Sequence, residues 1–244
     1  MSEAVQTRRV ARWQKALPWL ITIVCFGFLW TRIQGAATRA DLDVASYMAR
    51  VLASVRWGPW LALMVPYSLL FLCIDTLVIW RVITWFNAPV RLRDVLPIRA
   101  SSYILSIVNE QVGKGAIAVY MNRRHGIPGF EVGSSMLFIM FCEFYYLLAW
   151  ALLGWLLSAA ALPPIFRAIP VVAAVALLFF ALWCAFFAGR LGAGSTLRDR
   201  SILRAFRLAR PAQYLAVMLL RFSEVTAAAV IYTVAASLFG ISVE

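Results

Sequence analysis

The chain has 244 residues, of which 63% are apolar and only 14% charged, against about 45–50% and about 25% in soluble domains. Its mean hydropathy is +0.82, which excludes a disordered chain and argues against a water-soluble globule. Twenty-three Lys and Arg against 11 Asp and Glu give a net charge of +12; in a largely buried chain this points to anionic lipid headgroups rather than nucleic acid.

The 10 Trp, 8 Tyr and 16 Phe suit helices that end in aromatic belts at a membrane surface. The expected class is therefore all-α: a single polytopic membrane domain over residues 1–244. It comprises about five transmembrane helices and a re-entrant or interfacial segment. About 20 apolar residues of helix cross a hydrocarbon core of ~30 Å. The first such run is Ala16–Ile33, preceded by Arg8, Arg9, Arg12 and Lys15. Gly35-Ala36-Ala37 is a weak cleavage context and more spans follow, so this run reads as a retained helix rather than a signal peptide. Ala40–Arg56 mixes acids and arginines with Leu42, Val44, Met48, Val51 and Leu52, the pattern of a helix lying on the outer surface. Trp60–Trp80 is the second span, interrupted only by Pro66 and Asp75.

Residues 99–121 come next. Ala100–Val108 and Ala116–Met121 are apolar, but Asn109-Glu110-Gln111-Val112-Gly113-Lys114-Gly115 between them is polar and glycine-containing. A helix that dips into the membrane, breaks and returns accommodates that centre, because irregular backbone at membrane depth needs protein or a water-filled cavity around it. A surface-lying amphipathic segment is the alternative. Ser134–Leu157, Ile169–Ala188 and Gln213–Phe239 supply the remaining spans. Gly189–Ser195 reads as a linker. Thr196–Arg210 spaces Arg200, Arg204 and Arg207 among Ile202, Leu203, Phe206 and Leu208, predicting an amphipathic helix on the cytoplasmic leaflet.

Residues 1–15, 81–133 and 189–212 hold 17 of the 23 Lys and Arg, whereas 31–59 and 158–170 hold five. By the positive-inside rule the first set, with the amino terminus, is expected in the cytoplasm of a cell (inner) membrane. Residues 81–133 then start and finish on one side, as a re-entrant hairpin requires.

Four ionisable residues fall inside spans: Asp75, Glu143, Arg221 and Glu224. Such residues cost about 2.5–3.5 kcal/mol on a bare helix and usually face the bundle interior. Arg221 and Glu224 stand three apart, so they can pair on one helix face. Glu143 lacks a partner in its own helix; it is either protonated or meets a cation, with Arg221 and Lys114 best placed by depth. The chemistry these residues suggest is a polar cavity open toward the inner leaflet. Lys114 between Gly113 and Gly115 resembles a phosphate-binding device, since glycine permits close backbone approach and the ammonium supplies charge.

Catalytic signatures are missing: no H-E-x-x-H, no P-loop and no nucleophile elbow with plausible partners. The single histidine, His125, excludes a multi-histidine metal centre. Cys25, Cys73, Cys142 and Cys184 each lie in an apolar run and read as small buried hydrophobes. Neither enzymatic activity nor a cofactor or metal is expected.

Arg99-Ala-Ser-Ser-Tyr103 through Asn109, then Tyr120-Met-Asn-Arg-Arg-His-Gly126 and a helix bearing Glu143, form an ordered set. This set resembles the lysylphosphatidylglycerol synthase transmembrane-region family, also called flippase-like domain proteins. Gly113, Tyr120, Arg123, Arg124, Gly126 and Glu143 fit that family's order. Asn109 stands at its usual proline, Lys114 at the acid after the glycine, and Phe144 at an arginine; a second-half motif expected after the fifth span is absent from these residues. The resemblance implies re-entrant hairpins and a role in moving or presenting polar lipids. The functional expectation is a flippase-like protein for an anionic or phosphate-bearing phospholipid or glycolipid. Asn109, Glu110, Gly113, Lys114, Tyr120, Arg123, Arg124, Glu143, Arg221 and Glu224 would line its headgroup site and polar path. The alternatives are a non-transporting scaffold subunit of a lipid or glycan synthase, with a membrane partner protein or a homo-oligomer, and thirdly a membrane-embedded transferase.

Overall fold

The computed structural model describes residues 23–24, 26–108, 110–158, 162–191 and 196–238, with the backbone alone at 105, 107–108, 110–112 and 114. The described residues are all-α, with nine helices: α1 over 26–39, α2 Val44–Ser54, α3 Trp57–Phe86, α4 Leu92–Val108, α5 Glu110–His125, α6 Gly129–Ser158, α7 Ile169–Phe187, α8 Arg204–Leu208 and α9 Pro211–Leu238. Four stretches are long and apolar enough to cross a membrane: Trp57–Phe86, Gly129–Ser158, Pro164–Phe187 and Pro211–Leu238. The chain is thus a multi-pass membrane protein by its helices. Of the expected first span, residues 16–22 and 25 lie outside the described residues; the part from 26 onward is helical.

The chain divides into two compact units, residues 1–60 and 61–244. In the first, α1 turns through Asp41, a non-glycine residue at φ 51°, and the Leu42 N–H donates to the Ala37 carbonyl at 3.0 Å. Asp43 caps α2, its carboxylate accepting from the Ser46 N–H at 3.1 Å. That bond satisfies an otherwise orphaned first-turn donor; the Ser46 side chain first, and then this N–H, hold the Asp43 carboxyl below its usual value. α2 buries none of its residues, as a surface helix should, and is shorter than the expected Ala40–Arg56.

In the second unit α4 packs chiefly on α5. Gly113 sets how closely: a Cβ there would come within 2.9 Å of the Ser102 carbonyl oxygen on α4. Nearer the hairpin's open end, Ile98, Ser101, Ser102, Ala116 and Tyr120 line one groove. With a single residue between the two helices and extensive packing along them, α4 and α5 form an antiparallel hairpin. α4 also runs antiparallel to α3, since the Trp80 indole donates to the Val90 carbonyl at 2.8 Å and Phe71 meets Tyr103 at 6.0 Å between centroids. The hairpin therefore lies alongside the membrane-length α3.

Gly126, at φ +66°, ends α5 in the left-handed conformation that glycine adopts freely. The Gly126 N–H returns to the Asn122 carbonyl, an αL-type cap, and the Ile127 N–H to Met121, where both side chains are buried.

Two expectations need correction. The polar stretch 110–115 is helical rather than broken, because Gly113 seats that turn of α5 against Ser102 and Ser106; Asn109 lies outside the described residues. Thr196–Arg210 is not one amphipathic helix either. It is a turn, a 3-10 segment Ser201–Leu203 and the five-residue α8. Ala205 and Phe206 are buried. The Ala205 N–H donates to Ser134 Oγ at 2.8 Å, Arg204 pairs with Glu131, and Phe206 packs on Phe138, Phe141, Trp183 and Phe187. Tertiary docking on α6 and α7 overrides the surface-helix pattern.

Candidate functional site

Asp75 sits on α3 with no exposed surface, in a helix otherwise almost uniformly apolar. An isolated carboxylate there would be expensive; three groups from other helices meet it. Oδ2 pairs with Nε of Arg99 and accepts from the Tyr103 hydroxyl at 2.7 Å. Oδ1 pairs with Nη2 of Arg221 at 2.5 Å. Arg221 in turn reaches Glu224 Oε2 through Nη1 at 2.8 Å. Two arginines and two acids make this group formally neutral, the condition under which buried charges persist.

Local sequence places each member. Arg99 and Tyr103, four apart on α4, share one helix face, and the guanidinium carbon of Arg99 lies 4.4 Å from the Tyr103 ring centroid, a cation–π contact. Arg99 also donates to Ser102 Oγ at 3.1 Å. Arg221 and Glu224 share a face of α9. Arg221 is 7% exposed, and its Nε has no acceptor among the described residues.

A cavity of about 520 Å³ adjoins this group, lined by Tyr67, Phe71, Leu72, Ala100, Tyr103 and Tyr232. Tyr103 belongs to both: its ring lines the cavity and its hydroxyl binds Asp75. Tyr67 and Tyr232 close one wall edge to face, with centroids 5.9 Å apart.

The expected site residues divide into separate groups. Arg221 and Glu224 pair as their spacing predicts. Glu143 is half-buried on α6, within Coulombic range of Arg221 and Glu224. Of the two cations expected near Glu143, Arg221 makes no ion pair with it among the described residues, its Nη2 and Nη1 meeting Asp75 and Glu224. Gly113 is buried in the α4–α5 contact and Tyr120 lines its groove. Arg123 and Arg124 are exposed in the last turn of α5. The side chains of Glu110 and Lys114 lie outside the described residues. Positions 114 and 123 are separated by about 14 Å of continuous helix at 1.5 Å per residue.

Sequence reasoning marked Asp75 as a buried charge but missed Arg99 and Tyr103 as its partners. The signal was an Arg and a Tyr one helical turn apart on a segment expected to re-enter the membrane. Among the described residues no group of three or more His, Cys, Asp and Glu could hold a metal ion. Cys142 is buried and Cys184 half-buried, but Cys73 is exposed on apolar α3, contrary to its expected burial. No family model, curated protein or solved structure matches the chain.

Proposed function

We propose that this protein is a flippase-like membrane protein that binds and moves an anionic, phosphate-bearing phospholipid or glycolipid, without covalent chemistry of its own. The observation that carries this reading is the junction at Tyr103 between an apolar cavity and a buried arginine pair. A lipid presents the same two parts, a chain and a phosphate. The cavity accepts the chain, and two guanidiniums suit a phosphate through charge-assisted hydrogen bonds. The Asp75 carboxylate holds the place of that anion while the site is empty. The resemblance of residues 99–148 to the flippase-like family supports the same reading, as does the positive-inside count, which orients the basic loops toward the cytoplasm.

The test is lipid translocation in proteoliposomes carrying fluorescent phosphatidylglycerol or phosphatidylcholine, read by quenching of the outer leaflet. Faster loss of protected phosphatidylglycerol than in empty vesicles, reduced by Arg99→Gln and Tyr103→Phe, is expected. Rates equal to those of empty vesicles for both lipids overturn the reading. The neutrality of the ion group favours a second reading, a scaffold in which these charges join helices. On that reading both variants lower thermal stability and no lipid moves.

A further inference from the structure

A second cavity lies in the second unit where α7 ends and α9 begins. Its volume is about 400 Å³, within the ~300–1,000 Å³ of small-molecule sites. Ala185 of α7 and its C-cap Ala188 hollow one wall, Phe206 and Tyr214 form aromatic surface, and Arg190 and Arg207 also line it. The lining therefore combines an apolar wall with a cationic rim.

A third cation stands beside it. Two residues past the end of α7 stands Gly189, at φ +80°, and the Arg198 guanidinium lies over that glycine: a Cβ there would meet Nη1 at 3.2 Å and Nη2 at 3.5 Å. Arg198 is thus held next to Arg190. The nearby carboxylate of Asp199 pairs with Arg207 at 2.9 Å and remains 79% exposed. Three arginines against one acid leave this rim with two excess positive charges.

α7 supplies what a lipid chain needs. Val171, Val175, Leu178 and Leu182 are all at least half exposed, and they recur at spacings of four, three and four, so they form one stripe along the helix. Three residues further, the stripe reaches Ala185, which is part of the cavity wall. An apolar track therefore runs directly into a basic pocket, and basic pockets between transmembrane helices are where anionic headgroups bind.

We propose that this cavity binds the phosphate of an anionic phospholipid from the leaflet facing the basic loops, with one acyl chain along the Val171–Leu182 stripe. Arg190 and Arg198 contact the headgroup, and Arg207 exchanges part of its bond to Asp199 for it. This site is independent of the translocation reading: it holds a resident lipid at the helix ends and does not involve Asp75, Arg99 or Tyr103.

Native mass spectrometry of the full chain with equimolar phosphatidylglycerol and phosphatidylcholine tests it. Wild type retains phosphatidylglycerol preferentially. Arg190→Gln/Arg198→Gln, at surface positions that leave the core untouched, lowers that preference by about fivefold per arginine. Arg190→Lys/Arg198→Lys keeps most of it. Ala185→Phe fills the cavity without changing charge and also abolishes the preference. Unchanged preference in the double glutamine variant overturns the site. Loss in that variant but full retention in Ala185→Phe assigns diffuse surface attraction and also overturns it. Displacement of the lipid by millimolar inorganic phosphate identifies a free-anion site instead, which overturns the lipid assignment.

Discussion

Asp75 and Arg221 lie 146 residues apart in the chain and meet as a 2.5 Å ion pair with the carboxylate fully buried. This one contact fastens α9 to α3, and through Arg99 the same carboxylate fastens α4. Removing one partner leaves the buried group with one uncompensated charge, positive for Asp75→Asn and negative for Arg221→Gln, which costs about 3–5 kcal/mol; removing both restores neutrality and costs far less than the sum. Asp75→Asn and Arg221→Gln should each lower the unfolding midpoint in detergent strongly, and the double variant should recover much of the loss. Additive losses would mean that the two side chains do not interact.

The same substitution probes the anion-holding geometry. With Asp75→Asn, Arg99 and Arg221 face only Glu224, and the group carries one excess positive charge. A bound anion stabilises the state that binds it by mass action. Inorganic phosphate at tens of millimolar should raise the melting temperature of Asp75→Asn and leave wild type unmoved. An equal response in both proteins would show that the arginine pair is no anion site.

How far the sequence speaks for this site depends on where the partners sit. Arg221 and Glu224 are neighbours on one helix, so their spacing alone predicts their pair. Arg99 and Asp75 are legible only once α4 is known to run back along α3, and no periodicity carries that information. Residues 196–210 illustrate the same limit: arginines among Ile202, Leu203 and Phe206 look alike on a lipid surface and in a socket. The deciding groups, Ser134, Glu131 and the rings around Phe206, lie on other helices. The membrane character needed no such help, because long apolar runs are sufficient.

That socket makes a prediction of its own. Ser134→Ala leaves the buried Ala205 N–H without its acceptor, a loss of about 1–3 kcal/mol. Phe206→Ala empties an aromatic contact with four neighbouring rings and should cost about 3–5 kcal/mol. Thermal unfolding measures both. Losses below 0.5 kcal/mol (about the scatter of surface substitutions) would place 204–208 on the surface after all.

Membrane topology follows from the hairpin. Residues 81–133 leave from the end of α3 and return to the start of α6, so Arg93, Arg124 and Thr196 should share one side, with Ile165 on the other. Single cysteines at these exposed positions, introduced in a cysteine-free background, should react with an impermeant thiol reagent from opposite faces of sealed vesicles. Labelling of Arg93→Cys and Arg124→Cys from opposite faces would require α4 and α5 to cross the membrane differently.

Two glycines two residues apart in α5, on nearly opposite sides of the helix, give opposite expectations. A methyl group at Gly113 would press on the Ser102 carbonyl and the Ser106 side chain, so Gly113→Ala must push α5 off α4, an overpacking cost of about 1–3 kcal/mol. Gly115 faces open space, with nothing within 4 Å of an added Cβ. There, alanine removes glycine's backbone entropy penalty and should stabilise the helix by about 0.5–1 kcal/mol. Because the two positions share a helix, a length or register error cannot mimic the contrast. Hydrogen exchange over residues 99–121, together with the unfolding midpoint, reads both variants: faster exchange and a lower midpoint for Gly113→Ala, slower exchange for Gly115→Ala. The same sign at both positions would mean that α4 and α5 do not pack through Gly113.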